Sequence, residues 1–129
     1  MANNNAVITL KTRENMVRAR AGELVTMPKI VGMAFGDGGC DAQGEVLAPT
    51  ESQGTLRNET LRKEIDGYNF LSQTTCRYEC TLTEAELAGG YISEIGLYDE
   101  NGDMVCIKSF RKKGKDDDLE ITFTIDDIF

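Results

Sequence analysis

The 129-residue sequence predicts an α+β fold in which an N-terminal helix packs on a mostly antiparallel β-sheet or small β-sandwich. Three observations carry that expectation. Good helix formers fill Thr9 to Gly22, apolar and polar residues alternate from Cys76 to Leu82 and again from Leu119 to Asp126, and the turn-forming Asp99-Glu-Asn-Gly-Asp103 separates two apolar runs. A chain that opens in a helix and closes in antiparallel strands falls in this class. The length suits one domain, residues 1–129, with a helical N-terminal segment over 1–24 and a β-rich body over 25–129.

In the helix, Thr9 is placed to cap the first turn and Gly22 to stand just past the last. Leu10, Val17, Ala21 and Leu24 fall near one face, which is expected to pack, and Lys11, Arg18 and Arg20 lie on the other. Pro28 blocks further helix, and Lys29 to Phe35 reads as a short buried strand. The chain then reverses at Gly36-Asp-Gly-Gly39, where positive φ is the expected reason for glycine. Cys40 to Gln53 has no periodicity and reads as a long surface loop of the kind that forms interfaces. Leu56 to Ile65 fits a short helix or an edge strand equally well.

From Cys76 to Leu82 the alternation predicts a strand with Cys76, Tyr78, Cys80 and Leu82 inward. Thr83-Glu-Ala-Glu86 has capping-box spacing and predicts one helical turn, ended by Gly89-Gly90. Tyr91 to Tyr98 and Met104 to Phe110 form the arms of a hairpin. Arg111-Lys-Lys-Gly-Lys115 and Asp116-Asp-Asp118 read as a charged turn with no order of its own. The final strand turns Leu119, Ile121, Phe123 and Ile125 inward and Glu120, Thr122, Thr124 and Asp126 outward.

The composition argues against catalysis. Without histidine the chain has no imidazole base, no Ser-His or Cys-His pair and no His-ligated metal. A net charge of -8 disfavours nucleic acid and anionic membrane surfaces as partners. That charge is uneven: four basic residues against one acidic give +3 through Gly22, and ten against 21 give -11 beyond it. A cationic start on an anionic body makes Lys11, Arg18 and Arg20 candidate protein–protein contacts. No window of 18 apolar residues predicts membrane insertion, and the Met-Ala-Asn-Asn-Asn start lacks the features of a secretory signal.

The remaining motifs favour structural readings. Cys76 and Cys80, four apart on one strand, lie about 13 Å apart, too far to share a zinc or a disulfide. A chain with its own core and no secretory signal needs no disulfide staples, so all four cysteines are read as thiols, with pairing of Cys76 or Cys80 to Cys106 as the geometric alternative. Gly36-Asp-Gly-Gly39 lacks both the Gly-Lys-Ser/Thr ending and the full GxGxxG pattern of phosphate cradles. Asp99 to Asp103 alternates oxygen ligands, but Met104 and Phe110 stand where a calcium loop needs glycine and glutamate. The remaining carboxylates read as a solvated face. No catalytic residue, metal or cofactor is predicted.

A leading helix before a strand ending in Gly36-Asp-Gly-Gly39, the segment Thr55-Leu-Arg-Asn-Glu59, and Tyr91-Ile-Ser-Glu-Ile-Gly-Leu-Tyr-Asp-Glu-Asn-Gly-Asp103 occur in this order. Together they resemble the N-terminal, baseplate-attachment domain of phage tail-collar fibre proteins over nearly the whole chain. The resemblance implies a non-enzymatic structural subunit of a phage tail, or of a tail-derived particle such as a phage-tail-like bacteriocin encoded by a prophage, that attaches or adapts a fibre to the baseplate or collar. It implies other tail, baseplate or fibre proteins as partners, a homo-oligomer, with a trimer as the usual form, and a place in the virion tail after assembly in the bacterial host cytoplasm. Carried over residue by residue, Gly36, Asp37, Gly38, Leu56, Asn58, Glu59, Glu94, Gly96, Leu97, Asp99, Asn101 and Gly102 are expected to define the fold rather than to catalyse. Family members continue into a shaft and a receptor-binding tip, whereas this chain stops at Phe129, so a stand-alone adaptor is expected. The alternative is a receptor-binding module that takes a cell-surface glycan on Tyr68, Tyr91 or Tyr98.

Overall fold

The computed structural model describes residues 5–129; residues 1–4 of the expected helical segment lie outside the described residues. The elements in chain order are β1 (Ala6–Ile8), α1 (Leu10–Arg20), β2 (Ile30–Gly36), β3 (Glu59–Glu64), β4 (Gly67–Ser72), β5 (Thr75–Leu82), β6 (Gly90–Asp99), β7 (Met104–Lys115) and β8 (Ile121–Ile128). They form two antiparallel sheets, one of five strands in the order β1-β7-β6-β2-β3 and one of three in the order β4-β5-β8. Half of the residues are strand and 9% are helix, which overturns the α+β expectation: the fold is mostly β.

The physical reason lies in what α1 buries. Its expected apolar face is not the packed one, for Leu10 is 49% and Val17 69% exposed, while Thr12 and Asn15 are its buried residues. Thr9 caps the helix as expected, its hydroxyl accepting the Thr12 N–H at 3.3 Å, and Gly22 follows with φ +87°. The same Thr9 hydroxyl donates to the Met104 carbonyl at 2.6 Å, and Thr12 Oγ1 donates to the Val105 carbonyl at 3.0 Å. Hydroxyl groups therefore pin α1 to the start of β7, and the helix adds little apolar surface to the core.

That core lies between the sheets. Met33 and Phe35 of β2, Ile95 and Leu97 of β6, and Val105 and Cys106 of β7 meet Cys80 and Leu82 of β5 and Ile125 of β8. Phe35 meets Phe123 edge to face and Phe110 meets it at a tilt across the interface, at 5.4 and 6.0 Å between centroids. A smaller cluster of Ala34, Leu56, Met104 and Ile107 covers the other side of the larger sheet. With both faces covered, β6 is buried almost end to end, which hides the alternation that betrays a half-exposed strand.

Other elements correct the sequence reading locally. Within Leu56 to Ile65, Glu59–Glu64 forms strand β3, paired with β2 from Gly32↔Glu64 to Gly36↔Glu59. Thr83 to Glu86 forms a turn without a helix, although Glu86 does accept the Thr83 N–H at 2.9 Å, half of the expected capping box. Arg111 to Lys115 is ordered as the continuation of β7, because Lys115 pairs with Gly90 and its buried ammonium donates to the Glu84 and Asp116 carbonyls. Leu119 falls outside β8 and is 40% exposed.

Candidate functional site

Of the residues expected to define the fold, Gly36, Asp37, Gly38 and Asn58 gather around one buried carboxylate, that of Glu94. Glu94 is fully buried on the covered outer face of β6. Its Oε2 accepts the backbone N–H groups of Gly38 at 2.9 Å and Asn58 at 2.8 Å, and its Oε1 accepts that of Arg57 at 2.8 Å. Such charge-assisted bonds are the strong kind, and they supply the partners a buried anion requires. The neighbouring Ser93 hydroxyl accepts the Gly39 N–H at 2.8 Å. Asn58 closes the ring by donating its side-chain amide to Asp37 Oδ1 and accepting the Asp37 N–H on its carbonyl.

The glycines of this turn are needed for close approach, not for positive φ, which corrects the sequence expectation: none of Gly36, Gly38 and Gly39 has it. A Cβ on Gly36 would stand 2.4 Å from the Asn58 carbonyl oxygen, and one on Gly39 would stand 2.0 Å from that of Ser93. Gly96 is compressed in the same way by Met104 and the Cys106 carbonyl, with Leu56 next to it. Leu97 lies apart from these, in the core between the sheets.

Asp99, Asn101 and Gly102 form the β6–β7 hairpin tip. Asp99 Oδ1 accepts the Asn101 and Asp103 N–H groups, and Gly102 takes φ +85°. Arg62 of β3 connects this tip to the Glu94 region. Its guanidinium pairs with Glu59 at 2.9 Å, donates to the Gly102 carbonyl at 2.9 Å and lies 4.4 Å over the Tyr98 ring. Sequence reasoning missed the roles of Arg62 and Ser93, because their partners lie 40 and 54 residues away in the chain.

Lys11, Arg18 and Arg20 all point to solvent from α1, and Arg18 sits 3.4 Å from Glu23. Cys40 to Gln53 is more tied down than a bare loop: Cys40 bridges Val46, Leu47 N–H reaches the Gly39 carbonyl, and Arg13 pairs with Glu51. All four cysteines are free thiols. Burial pushes the Cys80 thiol up to about 11 and the Cys106 thiol up to about 12, so neither is a reactive thiolate. A groove of about 520 Å³ opens between α1, the chain leading into β2, and the three-stranded sheet; Met16, Met27, Pro28, Tyr68, Phe70 and Phe129 are among its lining. Among the described residues no cluster of three or more His, Cys, Asp or Glu is arranged to hold a metal, and no helix is long and apolar enough to cross a membrane.

Two antiparallel sheets packed over a shared core, the larger of them braced by hydrogen bonds to a buried carboxylate, with a helix and a loop displayed on the outside, define a β-rich structural module. The family model for the phage tail-collar fibre protein, N-terminal, matches residues 1–124, and the chain belongs to that family. It is accordingly a tail-fibre protein of a structural family, a component of the virion tail that associates with other phage tail components. No curated protein and no solved structure matches it.

Proposed function

We propose that this chain is one attachment domain, residues 1–129, that joins or adapts a tail fibre to the baseplate or collar by burying complementary surface after synthesis in the host cytoplasm. The observation that carries the reading is the inverted packing of α1. A helix that buries Thr12 and Asn15 while exposing Leu10, Val17, Lys11, Arg18 and Arg20 presents both apolar and cationic groups to a partner. The Cys40 to Gln53 loop lies beside it through the Arg13–Glu51 pair and the Leu10 N–H bond to the Glu51 carbonyl, which extends the same surface. The residues around Glu94 act as the frame that holds this surface in shape. Replacing Arg18 and Arg20 together with Glu is expected to abolish incorporation into particles while leaving the isolated protein's melting curve unchanged; normal incorporation would sink the docking role of α1.

The glycan-binding reading draws on Tyr68 and Tyr91, which are 64% and 53% exposed, with the Lys112 ammonium 4.5 Å over the Tyr91 ring. Tyr98 contributes less, since Arg62 covers its ring. Absence of signal for the folded protein on an array of bacterial surface glycans would remove this reading.

A further inference from the structure

The core-facing side of the smaller sheet carries two successive rows of paired residues. In the first, Tyr68 pairs with Tyr78 and Tyr78 with Ile125; in the next, Phe70 pairs with Cys76 and Cys76 with Asp127. Residues two apart on a strand share a face, so Asp127 follows the buried Ile125 on the side that packs into the core. There the core ends and the groove of about 520 Å³ begins, lined by Phe70 and Asp127, by Asn15 and Met16 of α1, and by Met27 ahead of β2.

Two polar groups in this lining lack partners. The Asp127 carboxylate makes no ion pair or hydrogen bond among the described residues, whereas Arg77 holds its neighbour Asp126. Burial pushes the Asp127 carboxyl up, as expected for a charge set in apolar surroundings without compensation. Asn15 is only 9% exposed, and its side-chain amide has no hydrogen-bond partner among the described residues. Lys29 also lines the groove, but its ammonium pairs with neither Asp99 nor Asp127.

The geometry points to this groove as the seat of an arginine side chain, flanked by apolar residues, on a segment of another tail component. It rests on the docking role proposed above, but uses the packed side of α1 instead of its cationic side. Each part of the lining answers to that chemistry. The Asp127 carboxylate can accept two parallel N–H bonds from a guanidinium, the Asn15 amide oxygen can accept another, and the exposed rings of Tyr68, Phe70 and Phe129 offer faces for its plane. A lysine would match the carboxylate but has no flat group to lay on the rings. Met16 and Met27, unbranched and adaptable, suit the apolar neighbours. Net charge agrees, since beyond Gly22 ten basic residues against 21 acidic leave -11, a field that draws a cationic segment inward.

The probe is the end-capped tripeptide Leu-Arg-Leu, titrated into the full chain and followed by NMR, with Leu-citrulline-Leu as the neutral control of the same shape. Saturable shifts are expected at the groove. Replacing arginine by citrulline, or Asp127→Asn in the protein, is expected to weaken binding at least about tenfold, the loss of a charge-assisted pair. Phe70→Ala, at an exposed position, is expected to weaken it severalfold, with both variants giving the parent's folded spectrum. Asp127→Asn is also expected to reduce incorporation into particles. No saturable shift, equal binding of the citrulline peptide, indifference to Asp127→Asn in the titration, or normal incorporation of that variant overturns the proposal. Three other occupants would show themselves and overturn it too: binding only after removal of residues 1–4 assigns the groove to the chain's own start, self-association that Asp127→Asn abolishes assigns it to a second copy, and free arginine binding as tightly as the tripeptide assigns it to a small molecule. The two readings fail separately, because normal incorporation of the Arg18 and Arg20 double variant removes the docking role of the cationic face, whereas a silent titration removes only the groove.

Discussion

The two sheets solve the problem of stability differently. The five-stranded sheet is covered on both faces, one by the smaller sheet and the other by Leu56, Met104 and the chain that feeds Glu94. The three-stranded sheet is covered on one face only, and its outer strand β4 is exposed almost throughout. Buried polar groups sit in the first and exposed aromatic rings in the second. The two sheets share the apolar core, but the larger one adds a buried polar lock and the smaller one has surface free for contact. The comparison predicts that equally drastic substitutions will have very unequal effects in the two.

The largest effect belongs to Glu94→Ala, which removes a buried carboxylate and leaves three part-buried N–H donors without their acceptor; it is expected to cost about 2–4 kcal/mol in urea unfolding. A loss below about 1 kcal/mol would mean that water replaces the carboxylate and that the lock is dispensable. Gly39→Ala follows, since its Cβ would collide with the Ser93 carbonyl and backbone must move, at about 1–3 kcal/mol. Thr9→Ala removes a cap and the bond to Met104 together, and about 1–2 kcal/mol is expected from the same unfolding curves.

The smallest effects test the other side of the comparison. The Lys63–Glu86 pair at 2.7 Å ties β3 to the turn after β5, with both side chains about a quarter exposed. Lys63→Met is expected to cost no more than about 0.5 kcal/mol, discounted for solvent screening. Hydrogen bonding to Lys63 holds the Glu86 carboxyl below its usual range, and the bond to Glu86 raises Lys63. The pair's contribution is thus fully present between the ordinary carboxylate and ammonium values. It fades as pH falls through the lowered Glu86 value or climbs through the raised Lys63 value, and stability measured against pH should show this difference between parent and variant. Phe70→Ser, on the exposed edge, should change stability by less than about 0.5 kcal/mol; a loss several times larger would place β4 among the elements that hold the fold.

Much of the larger sheet was legible in the sequence, because the Asn-Gly turn and the apolar runs of β6 and β7 are local signals. So were β5 and β8 as strands, through their alternation, although nothing in that alternation says that they pair. The class was misjudged on α1, whose good helix formers predict the helix correctly but say nothing about which face packs. Its buried face is made of Thr12 and Asn15, which no apolar stripe reveals. The node around Glu94 was legible as a set of residues but not as a structure. The carboxylate meets its three N–H partners through backbone atoms, which leave no trace in side-chain pattern. Similarly, the order of β7 past Phe110 depends on carbonyl groups folding over Lys115. β4 was missed although Tyr68 and Phe70 alternate with Gly67 and Asn69, a period-two signal short enough to pass for a loop.

Glu94 also bears on time. Gly38 lies 56 residues before it in the chain, and Arg57 and Asn58 lie 37 and 36 residues before it. These three donors can close on the carboxylate only after β2, β3 and β6 have come together, since contacts so distant in sequence carry a loop-closure cost that must be met first. Bonds that form late in folding break early in unfolding, and their loss is felt in the unfolding rate more than in the folding rate. For a component of a virion tail, slow unfolding is the quantity that counts.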